Sequence, residues 1–351
     1  MHNSLGLSLY LSSFAAQCQA LRGPAGTGVP VFFSLHISEE FDDTYCRRAE
    51  EACRMLTGLG YRIIADVSTK TVRQFGCADL VELARRLGLW ALRIDYGFTE
   101  DEIRDLAKRM PIVLNASTMT EEAAARIAAS GGEVFAMHNF YPRPETGLDE
   151  ELLLETTRKL QRAGLKVLAF IPGDSLRRGP LHEGLPTLEA HRNARPSAAF
   201  VDLSVRFGID GIFLGDPGIS AGEAARIERF CRENVISVPA VLAPGYEYLY
   251  GKVFTCRVDS PRWLVRFQES RMYSCPGDRV APSNCVAREA GAITMDNEKY
   301  GRYSGEIMMI REPLKADERV NVIGQVSEDA MLLLPCIRGG QKFLLVHPDG
   351  D

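Results

Sequence analysis

Short apolar runs alternate with longer amphipathic stretches between residues 5 and 231. The apolar runs occupy 5–11, 31–35, 61–66, 91–95, 112–115, 134–137, 167–171 and 211–214. Each has the length of a strand and is too short for a buried helix. Between them, 43–59, 78–87, 100–109, 121–129, 149–163, 198–207 and 221–231 carry apolar residues at helical spacing. Gly60, Gly88, Gly131, Gly164 and Gly208 stand where those helices must stop. Strands joined by crossover helices predict an α/β fold with an all-parallel sheet, most simply a closed (β/α)8 TIM-like barrel. An open doubly wound sheet is the alternative, but no G-x-G-x-x-G follows the first strand to suggest dinucleotide binding.

The rhythm changes between Val238 and Tyr250, where Pro239, Pro244 and Gly245 punctuate the chain. Beyond this point the runs VFTCRVDS, WLVRFQES, GAITMDNEKYGRYSGEIMMI, VNVIGQVS and MLLLPCIRGGQKFLLV alternate and are separated by turn residues. Such a pattern predicts a small antiparallel β domain. The expected division is a barrel over 1–238 and a β domain over 239–351.

Composition narrows the function. The 351 residues are 46% hydrophobic and 25% charged, as in ordinary globular proteins, with a formal charge of -5. That balance argues against nucleic acid as a partner, since a phosphate backbone needs a basic footprint. A small anionic ligand needs only a few local arginines. No apolar run reaches the length of a membrane span. The start of the chain lacks a basic leader and a cleavage site, so a cytoplasmic protein is expected. Nine scattered cysteines without a C-x-x-C pair fit reduced thiols and no metal site. A homo-oligomer is compatible with all of this.

Candidate chemistry gathers where the predicted strands end, as a parallel barrel requires. The second strand is followed by His36 and Glu39, the third ends on Asp66, the fourth on Asp95 and the fifth on Asn115. HNFYPRPETGL after the sixth strand supplies His138, Asn139, Tyr141, Arg143 and Glu145. IPGDSLRRGPLHEGLPTLEAHR after the seventh supplies Asp174, Arg178, His182 and Glu183, and the eighth is followed by Asp216. Any single acid here, Asp66, Asp174 and Asp216 above all, also suits a helix N-cap. As a set, carboxylates from several strands converge on one mouth, where their environments can separate an acid from a base. Arg143, Arg178 and Arg302 are fitted to a phosphate or carboxylate. His138 closes an apolar run and equally suits a core position. Glu189, His191 and Arg192 read as the exposed face of a short helix after Pro186. In the β domain, Asn297, Tyr300 and Arg302 sit in a predicted hairpin turn and are candidates to complete the site.

The blocks HNFYPRPETGL, IPGD, RGPLHEGLPTLEAHR, GIFLGDP, ITMDNEKYGRYSGE and VNVIGQV together resemble the bacterial family that includes the 6-phospho-N-acetylmuramidases. The resemblance covers nearly the whole chain in the right order. It implies a TIM-like barrel followed by a cyclophilin-like β-barrel. It also implies a glycosidase of cell-wall recycling that releases N-acetylmuramic acid 6-phosphate from N-acetylglucosamine in a phosphorylated disaccharide. FFSLHISEEFDD matches the family's second strand and acidic loop, so His36 and Glu39 carry over as pocket residues. QCQALRGPAGTG departs from the pattern, being a short Gly-rich connection where the family commonly has a fuller helix.

Glycoside cleavage needs one carboxylic acid to protonate the leaving oxygen and a second carboxylate as base or nucleophile, with no metal or redox cofactor. The candidates are Asp174, Glu183, Asp95, Glu145 and Asp216, with a pair drawn from Asp95, Asp174 and Glu183 preferred. Attack by the substrate's own N-acetyl carbonyl is a third route. Two other classes remain open: a different phosphosugar enzyme on the same barrel, and a non-catalytic sugar-phosphate sensor. An aldolase would want a lysine at a strand's carboxyl end, and none is there.

Overall fold

The computed structural model describes residues 4–18, 28–35, 44–271 and 278–350. His36 and Glu39 lie outside the described residues. By internal contacts the chain forms two compact units, Met1–Pro196 with Phe207–Ser220, and Ser197–Arg206 with Ala221–Asp351.

The first unit holds eight parallel strands, each bonded to the next in chain order. They are β1 Leu7–Leu9, β2 Pro30–Ser34, β3 Arg62–Val67, β4 Ala91–Ile94, β5 Ile112–Asn115, β6 Val134–Met137, β7 Lys166–Ile171 and β8 Gly211–Leu214. Gly6 closes the ring: its N–H donates to Ile212 O at 2.8 Å and its carbonyl accepts from Leu214 N at 2.8 Å. A Cβ on Gly6 would lie 2.5 Å from the Phe213 ring, so only glycine lets the first and last strands meet there. The eight expected strands are all present.

Alternating with the strands are α1 Phe14–Gln17, α2 Tyr45–Gly58, α3 Thr69–Gln74, α4 Leu80–Leu87, α5 Glu100–Ala107, α6 Glu121–Ala128, α7 Glu150–Arg162, α8 Pro196–Val205 and α9 Ala221–Glu233. Their ends follow local chemistry. The Asp79 and Asp149 carboxylates and the Thr99 hydroxyl accept the N–H of Glu82, Leu152 and Glu102 at 2.7, 2.9 and 3.3 Å, satisfying orphan donors at the starts of α4, α7 and α5. Gly88 ends α4 in the left-handed region at φ 66°.

Strand alternation decides what the barrel encloses. Phe32, Ile64, Ala91, Val113, Phe135, Met137, Leu168, Phe170 and Phe213 form one buried cluster. The Phe170 ring meets Phe32 at 5.3 Å and Phe213 at 5.9 Å between centroids. Two residues further along their strands, Asp66, Arg93, Asn115 and Asn139 follow Ile64, Ala91, Val113 and Met137 on the same inward face. The apolar filling thus ends in a polar layer at the carboxyl end of the strands.

The second unit contains α8, α9 and a seven-stranded sheet in the order β10-β15-β9-β14-β12-β13-β11. Its strands are β9 Val235–Leu242, β10 Val253–Thr255, β11 Leu264–Arg266, β12 Ala292–Asp296, β13 Ile307–Ile310, β14 Val320–Val326 and β15 Lys342–Val346. The expected antiparallel pairing holds except at β9 and β15, which run parallel, so the sheet is mixed. β9 also runs unbroken through residues 238 and 239. Phe254, Phe267 and Phe343 centre the core of this unit, which includes Ala198 and Val201 of α8. Among the described residues no helix is long and apolar enough to cross a membrane.

Candidate active site

At the carboxyl ends of β3 to β6 the inward side chains form one hydrogen-bonded network. Arg93 is 4% exposed and Asp66 is 6% exposed. The Arg93 guanidinium donates to Asp66 Oδ1 at 3.0 Å and to Asn139 Oδ1, and lies 4.0 Å from Asp95 Oδ1. Asn139 Nδ2 donates to Ser117 Oγ at 3.2 Å. Ser117 N donates to Asn115 Oδ1 at 3.0 Å, and Asn115 Nδ2 donates to Asp95 Oδ1 at 2.9 Å. Four of these residues, Asp66, Asp95, Asn115 and Asn139, were expected at the site. Arg93 and Ser117 were not. Arg93 was legible as a charge on the same strand face as Ala91 and Asp95. Beside this network Phe140 packs edge-on to Phe170, 5.1 Å between centroids, and continues the aromatic interior upward.

His138 is placed elsewhere. One step out of phase with Met137, it points away from the interior and is fully buried, with Nε2 3.1 Å from Thr157 Oγ1 on α7. Burial pushes its pKa down to about 4, so the ring is neutral at physiological pH. The core position that its apolar setting also allowed is the one it takes.

The loops after β6 and β7 are sewn together. Tyr141 N donates to Pro186 O, Leu148 N to Thr187 O and Glu189 N to Leu148 O, each at 2.9 Å. Thr187 Oγ1 donates to Asn139 O and accepts from Phe170 N, again at 2.9 Å. Glu189 and Arg192 do not form an exposed helix face. Arg192 is 4% exposed and grips Glu189 with two bonds of 2.6 Å, while Glu189 also accepts the N–H of Glu145 and Gly147 at 2.9 and 2.7 Å. Arg192 further donates to the carbonyls of Glu183, Gly184 and Arg143. His191 is fully buried. The side chains of Tyr141, Arg143 and Glu145 ride on this frame, half-buried for Tyr141 and exposed for the other two.

The loops after β7 and β8 meet as closely. A Cβ on Gly173 would lie 2.3 Å from Gly218 O, and one on Gly215 would lie 2.2 Å from Leu185 O, which explains the glycines of IPGD and LGDP. Asp216 is fully buried and accepts three backbone N–H bonds, from Gly173 at 2.8 Å and from Leu185 and Arg178 at 3.0 Å. Burial raises its pKa, and those three donors oppose the shift. Asp216 therefore folds the β7 loop around itself. Asp174 accepts from Ser220 N at 2.7 Å and Ser220 Oγ at 2.6 Å. Glu183 is exposed at the loop tip, next to His182, whose Nδ1 lies 3.0 Å from Arg177 O. Arg178 lays its guanidinium over the Tyr10 ring at the end of β1, 4.7 Å from the centroid.

In the second unit Asn297 is fully buried, and its amide nitrogen donates to Glu318 O and Asn321 Oδ1, both at 2.9 Å. Both ends of that amide serve the turn, since Oδ1 accepts Lys299 N. Tyr300 lies under Arg319, and Arg302 donates to Tyr303 Oη at 2.8 Å from the exposed surface. Beside them Asp296 is buried next to Glu306, whose carboxylate is engaged by Arg271 at 2.5 Å and Arg266 at 3.4 Å. Burial first, and then the Glu306 charge, push the Asp296 carboxyl up to about 7 from 3.8. The folded state thus keeps a proton that the unfolded chain has lost. Asp296 therefore subtracts stability progressively as pH rises from about 4 to 7. Asp296→Asn is expected to flatten that decline in urea-unfolding curves measured from pH 4 to 8. An unchanged pH slope would show that Asp296 does not hold the proton.

Comparison with known proteins gives the site its setting. The N-terminal domain of 6-phospho-N-acetylmuramidase matches residues 5–229, and the C-terminal domain matches residues 241–346. A conserved Enterococcus faecalis protein of unknown function has a crystal structure similar to this fold. It is 32% identical, with a TM-score of 0.84 over 99% of this chain and 97% of that one. An uncharacterized B. cereus protein shares the fold at 23% identity, with a TM-score of 0.78 over 99% of this chain and all of that one. No curated protein sequence matches the chain. With both domains matched in order, the chain belongs to the 6-phospho-N-acetylmuramidase family and is a glycoside hydrolase.

Proposed function

We propose that the protein hydrolyses the bond between N-acetylmuramic acid 6-phosphate and N-acetylglucosamine in the phosphorylated muramyl disaccharide, in the cytoplasm, as a step of cell-wall recycling. Beyond family membership, one observation carries this reading. The barrel's apolar filling gives way, at the carboxyl end of the strands, to a network of carboxylates and amides with an aromatic ring beside it. Such a surface suits a sugar, whose hydroxyls need paired donors and acceptors and whose carbon face packs on a ring such as Phe140.

We assign Asp95 and Glu183 as the reacting carboxylates. Asp95 stands at the inward end of β4, and Glu183 on the loop held by Arg192, whereas Asp174 and Asp216 are engaged in binding backbone N–H groups. One carboxyl gives its proton to the glycosidic oxygen as the bond to the anomeric carbon breaks. The other either attacks that carbon or takes a proton from the attacking water. Water's hydroxyl ends on the muramyl sugar and the proton on N-acetylglucosamine. Asn115, Asn139 and Tyr141 are assigned to sugar hydroxyls, and Arg178 to an anionic group.

The test is turnover of the phosphorylated disaccharide beside its unphosphorylated analogue and other phosphorylated β-glycosides. Failure to cleave the first while cleaving another would overturn the substrate assignment. Arg178→Ala should raise KM for the phosphorylated substrate about 10- to 100-fold, since bonds to charged groups contribute about 1.5–3 kcal/mol. The unphosphorylated analogue should hardly be affected, and equal effects on both would remove Arg178 from the phosphate.

A further inference from the structure

We propose that Arg93 is the positioning residue of this site: it bonds Asp66 at 3.0 Å, lies 4.0 Å from Asp95, and sets the seat from which Asp95 reacts. This assignment rests on the glycosidase reading above.

The geometry makes one guanidinium the junction of three strands. Arg93 leaves β4, its Nη1 takes Asp66 Oδ1 of β3 at 3.0 Å, and its Nη2 takes Asn139 Oδ1 after β6. A buried cation without a partner is strongly destabilising, and Asp66, itself nearly inaccessible, supplies the matching charge. The second arm has a different consequence. With its oxygen taken by Arg93, Asn139 must aim its nitrogen elsewhere, and it donates to Ser117 Oγ. Ser117 in turn donates its backbone N–H to Asn115 Oδ1, which directs Asn115 Nδ2 onto Asp95 Oδ1. The orientation of two amides, and through them the seat of Asp95, is therefore set from Arg93. Lysine cannot do this, because an ammonium lacks the rigid fork that serves two acceptors at fixed angles. Arg93 Nε is buried and makes no hydrogen bond among the described residues, so the bonds of this guanidinium run through its two Nη groups.

Charge balance and positioning are separated by two variants assayed on the phosphorylated disaccharide and on a panel of phosphorylated aryl glycosides. Arg93→Lys keeps the charge and loses the fork. We expect kcat to fall about 10- to 100-fold, the scale of a misplaced catalytic group, with KM within about threefold and the melting temperature near wild type. Arg93→Met combined with Asp66→Asn removes both charges, so the protein should fold without a buried ion. We expect kcat in that double variant to stay at least about 100-fold down. Wild-type kcat in either variant overturns the positioning role while leaving the proposed reaction standing. A wild-type protein inert toward every substrate overturns both.

Discussion

Replacing Asp95 with asparagine is expected to lower kcat about a thousandfold while the protein still folds. The amide has the carboxylate's size, and it sits in a seat already shaped by Asn115 and Arg93. What it loses is the ability to give or take a proton, or to attack a carbon. Positioned acid–base catalysis contributes about 10²–10⁴-fold, and a lost nucleophile sits at or beyond the top of that range. Glu183→Gln should produce a loss of the same order, because neither half of a glycosidase pair works alone. The double variant should be scarcely worse than either single one, since residues that act as a unit are not additive. The decisive measurement is single-turnover kinetics on purified, folded variants. Near-wild-type turnover in Asp95→Asn would exclude Asp95 from the chemistry and return the search to Asp174 and the other carboxylates.

The second large effect is expected far from any reacting atom. Arg192→Met should destabilise the barrel by about 3 kcal/mol, because it takes the buried partner from the partly exposed Glu189 and leaves the carbonyls of Glu183 and Gly184 without this donor, while Arg143 O keeps its bond from Thr146 Oγ1. For a unit of this size that is a fall of roughly 6–12 °C in melting temperature. Activity should fall as well, since the backbone of Glu183 loses an anchor. A pH signature accompanies the change. The Arg192 fork, helped by the Glu145 and Gly147 N–H groups, holds the Glu189 carboxyl down at about 2, below its ordinary value of 4.5. The resulting stability is complete above about pH 4.5 and is lost as pH falls toward 2. Arg192→Met should lose much of that acid-side dependence. Equal melting temperatures for variant and wild type at pH 7 would show that the clamp is ornamental.

The fold was largely legible because strand length, helical spacing and stop glycines all agree in the first 214 residues. The parallel pairing of β9 with β15 was not, because it joins segments about a hundred residues apart and leaves no local mark. The site was legible in position and less so in detail. Alternation along β6, followed from Phe135 and Met137, would have turned His138 outward and Asn139 inward. The same rule applied to Ala91 and Asp95 would have drawn Arg93 into the barrel. Glu189 and Arg192, three residues apart in a short helix, looked like a surface pair. Only the packing of the β6 loop against the β7 loop buries the arginine, and no sequence window contains that.

Those two loops also set the temporal character of the enzyme. Backbone bonds from Tyr141, Leu148 and Glu189, together with the Arg192 clamp, tie them to each other. Loops that order only around substrate lose conformational entropy at every encounter, and that loss weakens each binding event. Here bonds within the chain supply part of that ordering. A substrate that meets this stretch of the rim therefore has less ordering left to impose on it.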